Sequence, residues 1–71
     1  MSSIETTQDI IDLQAPYGKE LKLQTVTFEG GLELFRIRIK EGKRFTMLDL
    51  DPDTASNLVE QLAKWQNEVH G

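Results

Sequence analysis

The chain has 71 residues, no cysteine and a net charge of −4, which bounds it to one small domain without a disulfide framework or a thiolate zinc site. The acidic balance speaks against nonspecific nucleic-acid binding, and no apolar run approaches the ~20 residues that a membrane helix needs. A domain this short buries only roughly 60% of the surface of its unfolded chain and commonly leans on a staple; with cysteine absent, the staple expected is a second subunit.

Met1-Ser2-Ser3-Ile4-Glu5 has neither a basic n-region nor an apolar h-region, so it does not read as a signal peptide. A soluble, cytoplasmic protein with no membrane contact is the expectation, and the lack of cysteine fits a reducing compartment. Residues 1–9 are small and polar and read as a disordered tail, with residues 10–71 forming a single α+β domain. Ile10, Ile11 and Leu13 are too apolar to leave in water and are expected to dock on a sheet as an extended or edge piece. Ala15-Pro16-Tyr17-Gly18 is a break.

Lys19–Glu29, Leu32–Lys40 and Lys43–Leu50 then read as strands, punctuated by Gly30-Gly31 and Glu41-Gly42 as two-residue hairpin turns. Asp51 is placed to cap a helix, Pro52 suits its first position, and Asp53 suits its positive end. Ala55, Leu58, Val59, Leu62, Trp65 and Val69 recur at helical spacing as one apolar stripe, and Glu60–Lys64 is a favourable i,i+4 pair. The expected fold class is therefore α+β: an antiparallel meander of three strands, or four if residues 10–13 join it, followed by one C-terminal amphipathic helix packed on one face.

Two-residue loops would pair Glu29 with Leu32 and Lys40 with Lys43. Alternation then puts Val26, Phe28, Phe35, Ile37, Ile39, Leu48 and Leu50 on one face, which is assigned to the helix. The other face carries Leu21, Leu23, Leu32, Leu34, Phe45 and Met47, interleaved with Arg36, Arg38, Lys40 and Lys43. An uncovered face of that kind marks an interaction site. A β-bulge near Gln24-Thr25 would swap part of this assignment.

Other chemistry is thin. From Asp49, the residues Asp51, Asp53, Asn57 and Glu60 follow calcium-loop spacing, but Thr54 stands where the turn glycine is needed, and helix capping explains the same acids. Seven of the eight bases lie between Lys19 and Arg44, so Arg36, Arg38, Lys40 and Lys43 would track phosphates with Phe45 stacking on a base; the bland reading is solvated side chains. His70 stands at a chain end, Ser2, Ser3 and Ser56 have no evident base, and Asp49, Asp51 and Glu33 are not placed in one cleft. Trp65 lies on the helix stripe and reads as a packing anchor. No catalytic, cofactor-binding or metal-binding residue is assigned, no cofactor is implied, and the chain is not expected to be an enzyme.

Ala15-Pro16-Tyr17-Gly18-Lys19-Glu20, Arg36-Ile37-Arg38-Ile39 and Phe45-Thr46-Met47-Leu48-Asp49-Leu50-Asp51-Pro52 with Ala55 resemble short bacterial proteins of unknown function, over about residues 15–66. That resemblance implies a bacterial source and no activity. The junction Leu48-Asp49-Leu50-Asp51-Pro52 also resembles single-stranded-DNA-binding transcriptional coactivators, which have a curved antiparallel sheet and a C-terminal helix used in dimerisation. This sheet has fewer aromatic residues than theirs, and the chain is acidic. The function remains unknown from sequence. The leading expectation is a noncatalytic, homodimeric protein-interaction module, with another protein as a further partner; the alternative is a single-stranded nucleic-acid binder, and a small ligand-binding protein or enzyme comes third.

Overall fold

The computed structural model describes residues 5–70. Four strands form one antiparallel sheet in sequence order: β1 (Thr6–Ala15), β2 (Lys19–Thr27), β3 (Glu33–Glu41) and β4 (Arg44–Leu50). A single helix, α1 (Pro52–His70), follows. The fold is α+β, with Ile11 and Leu13 in a full fourth strand. Residues 6–9, expected in a tail, are the first part of that strand; residues 1–4 lie outside the described residues.

Loop length decides which side chains share a face. In the β2–β3 hairpin the Phe28 N–H donates to the Leu32 carbonyl at 2.8 Å, and the Gly31 N–H donates to the Phe28 carbonyl at 3.0 Å. The loop is therefore Glu29-Gly30-Gly31, three residues rather than two. Gly30 sits at φ 95, the left-handed third position of a type II turn that a side chain resists. One extra loop residue reverses the parity of β2 against β3. Leu21 and Leu23 thus move to the face of Ile37 and Ile39, and Val26 leaves it: Leu21 pairs with Ile39, Leu23 with Ile37, and Val26 with Leu34. At the next hairpin the two-residue loop is Gly42-Lys43, with Gly42 at φ 62 as in a type II′ turn. Glu41 pairs with Arg44 and Lys40 with Phe45. That slide keeps parity, so the faces of β3 and β4 are those expected. The one irregularity is in β1 at Ile10, between Asp9 and Ile11, across from Gln24 and Leu23.

No second layer covers the sheet among the described residues. Among the described residues the buried apolar side chains are Val26 (0% exposed) and Leu50, and no residue of α1 is buried. The expected packing of the helix on one sheet face does not occur within the chain. The junction explains why: β4 and α1 are joined through Asp51 alone. A residue before proline is held extended, and Pro52 fixes its own φ. The Asp51 carboxylate accepts the Thr54 N–H at 2.8 Å, and its carbonyl accepts the Ala55 N–H at 2.9 Å. No slack is left for a reversal. The helix meets β3 and β4 near its first turn, where Pro52 and Ala55 border Phe35 and Leu50, and then runs on. The chain spans 50 × 31 × 16 Å with a radius of gyration of 14.4 Å, against roughly 11 Å for a compact domain of this length.

Candidate functional site

Registered neighbours point to the same side of the sheet, so the two faces can be read row by row. The first has the rows Leu13–Leu21–Ile39–Thr46, Ile11–Leu23–Ile37–Leu48 and Gln8–Thr25–Phe35–Leu50. At one end the row Ala15–Lys19–Glu41–Arg44 closes it, with Lys19 Nζ 3.5 Å from Glu41 Oε2. At the other end stand Thr6, Thr27 and Glu33. This is an apolar centre with polar ends, the composition of a subunit interface. Ile11, Leu13 and Leu48 on it are exposed, as are Leu58, Val59, Leu62, Trp65 and Val69 along α1.

The excess of surface can be sized. The chain exposes 5763 Å², whereas a compact monomer of 8.1 kDa exposes roughly 4,500 Å². The surplus, on the order of 1,300 Å², exceeds the roughly 800 Å² per partner of a standard protein interface.

The opposite face is mostly polar, with Phe45 and Met47 as its exposed apolar side chains. Arg36 donates from Nε to Asp49 Oδ1 at 2.8 Å and from Nη2 to Oδ2 at 3.0 Å, a two-pronged grip. Its Nη1 donates to Glu5 Oε2 at 3.2 Å. The Arg36 side chain is 14% exposed. The Asp49 hydrogen bond holds Arg36 firmly protonated, and Arg36 in turn holds the Asp49 carboxyl below the usual carboxylate range. Beside this pair Gln24 Nε2 donates to Asp9 Oδ1 at 2.6 Å, and Lys22 Nζ lies 4.0 Å from Asp9 Oδ2. Farther along, the Arg38 guanidinium sits 5.3 Å from the centre of the Phe45 ring. Arg38, Phe45, Lys22 and Lys40 line a hollow of about 360 Å³ together with Asp12 and Glu20.

The ten residues expected on one interaction face are thus divided. Leu34, Arg36, Arg38, Lys40, Phe45 and Met47 share the polar face; Leu21 and Leu23 lie on the apolar one; Leu32 stands just before β3, at the closing hydrogen bond of the hairpin, and Lys43 falls in the β3–β4 loop. Lys22, Asp12 and Glu20, which join Arg38 and Lys40 in the hollow, were not singled out from sequence. Alternation within β2 groups Lys22 with Glu20, but their partners across the sheet depend on the loop length. The acids of the calcium-like spacing have separate roles: Asp49 holds Arg36, and Asp51 caps α1. Among the described residues no group of three or more histidine, aspartate or glutamate side chains could hold a metal ion. No helix among them is long and apolar enough to cross a membrane.

No curated protein and no solved structure matches the chain. A family model, described as a family of unknown function (DUF6967), matches residues 4–68. The match extends beyond the segment of resemblance in sequence, taking in β1 and nearly all of α1. The matched segment thus spans the four strands and most of the helix, and the chain belongs to the DUF6967 family of unknown function.

Proposed function

We propose that the protein is a noncatalytic interaction module that works as a homodimer, with α1 of one copy lying on the apolar sheet face of the other. The observation that carries this reading is the surplus of exposed surface, together with exposed apolar side chains on two elements, the sheet face and α1, that the Asp51–Pro52 junction keeps apart in one chain. A 19-residue helix is about 28 Å long, and strands of seven to ten residues run about 23–33 Å, so the elements are commensurate. Reciprocal docking about a two-fold axis buries both copies of each element and closes the assembly.

The bacterial and cytoplasmic assignments belong to the same proposal and rest on the resemblance and the cysteine-free composition. The nucleic-acid alternative is weakened, because Arg36 is held by Asp49 and Glu5. Light scattering after size exclusion, at two protein concentrations, tests the proposal. Twice the chain mass at the higher concentration is expected; a folded monomer at both would refute it.

A further inference from the structure

We infer that the hollow on the polar face is a binding site for one compact oxoanion, the phosphate or carboxylate group of a small ligand. Three observations converge on it. First, β2–β3 register sets Lys22 directly opposite Arg38, and like charges facing each other across a sheet repel. Each lysine has an acid across the ladder, Asp12 for Lys22 and Glu20 for Lys40, but the neighbours of Arg38 in its own row are Lys22 and Met47. An anion between Lys22 and Arg38 turns the repulsion into attraction. Second, Arg38 Nε is buried and has no hydrogen-bond partner among the described residues, a costly orphan donor that a small shift of the guanidinium would open to an anion. Third, the hollow's volume of about 360 Å³ falls within the range of small-molecule sites.

The chemistry limits what fits. The guanidinium lies over Phe45, 5.3 Å from the ring centre, and its planar fork suits an oxoanion. Among the residues that line the hollow, Lys22, Arg38 and Lys40 outnumber Asp12 and Glu20 by a single charge, and Asp9, 4.0 Å from Lys22, lowers the local balance further. That balance suits a ligand of low charge, and the two carboxylates repel a polyanionic strand. Apolar ligand surface would lie beside Phe45. The site is on the opposite side of the sheet from the proposed subunit contact, so it stands or falls independently of the dimer.

The test is an NMR titration of the full chain that follows the Arg38 Nε–Hε resonance, which burial protects from exchange. Inorganic phosphate, phenyl phosphate and benzoate are added separately, with sodium chloride at matched ionic strength as reference. A saturating shift with phosphate or phenyl phosphate, beyond that of chloride, identifies a phosphate site; one with benzoate identifies a carboxylate site. Lys22→Gln should weaken the effective anion roughly tenfold, as for loss of one charge-assisted hydrogen bond. Lys40→Gln serves as a second variant should Lys22→Gln not fold, and Arg44→Gln on the other face should leave the titration unchanged. Shifts no larger than those of chloride for all three anions, or wild-type titrations in the folded glutamine variants, overturn the inference.

Discussion

Trp65 is the single tryptophan of the chain and can report directly on what covers α1. It is 60% exposed in the isolated chain; for a side chain of up to ~250 Å², that leaves roughly 150 Å² open to a partner. Covering that area is worth up to roughly 4 kcal/mol at ~25 cal/mol per Å². Interfaces return only part of such a figure, so about 2 kcal/mol per copy is a working value. A two-fold dimer contains the contact twice, and Trp65→Ala should raise the dimer Kd about a thousandfold. Wild-type fluorescence should be blue-shifted and shielded from iodide at high concentration, moving to the red on dilution. Sedimentation of Trp65→Ala should show monomer where wild type is dimer. A Trp65 that is equally quenched at all concentrations, with a variant that associates like wild type, would refute the reciprocal docking of α1.

Leu62→Ala, worth about 2–5 kcal/mol where the side chain is buried, should cost that much only at concentrations where the dimer forms, because Leu62 is exposed in the single chain; urea melts at two concentrations separate the cases. Asp49→Ala should destabilise the sheet by about 1–3 kcal/mol, since it strips the largely covered Arg36 of its two-pronged partner; Lys64→Ala should stay within about 0.5 kcal/mol of wild type in the same chemical melts at low concentration. Deleting Gly31 shortens the first β2–β3 loop to two residues and forces Leu21 and Leu23 toward the polar face or β2 out of register; loss of a cooperative thermal transition by circular dichroism is expected, and an unchanged melt contradicts the register argument. The Asp49 carboxyl is lowered by its hydrogen bond from Arg36, and the Asp51 carboxyl by hydrogen bonds from the Thr54 hydroxyl and N–H. Because these folded values lie below the unfolded ones, their stabilisation is complete above the ordinary aspartate pKa of about 3.9 and is lost as pH falls through the folded values. Urea midpoints at pH 7, 5 and 3 should therefore drop at the last step, and less in the Asp49→Asn variant.

What could be read from the sequence was what is local. The cap at Asp51, the proline at the first helical position and the apolar spacing of α1 are properties of adjacent residues, and the helix begins where they place it. The faces of β3 and β4 survived an error in the turn because both partners of the ladder moved together by an even step. The β2 assignment failed on one residue: two consecutive glycines satisfy both a two-residue turn and the three-residue loop that forms, and the choice inverts every side chain of the strand. Pairing across β1 could not be read either, since the irregularity at Ile10 has no glycine to announce it. The apolar stripe of α1 marks a surface that needs cover, but spacing carries no information on which chain supplies it. The Arg36–Asp49 pair and the Lys22–Arg38 opposition likewise exist only once the register is fixed.

The single-residue junction makes α1 a lever. An error of about 10° at Asp51 would swing the far end of a rod about 28 Å long by about 5 Å, close to one helical turn. Trp65 and Val69 lie toward that far end, so a small angular fault at the root would carry them past their intended neighbours while the helix itself stayed intact. The bonds from Thr54 and Ala55 to Asp51 are thus matters of aim as much as of strength. Variants that loosen them should leave helix content nearly unchanged while broadening the set of orientations that α1 samples.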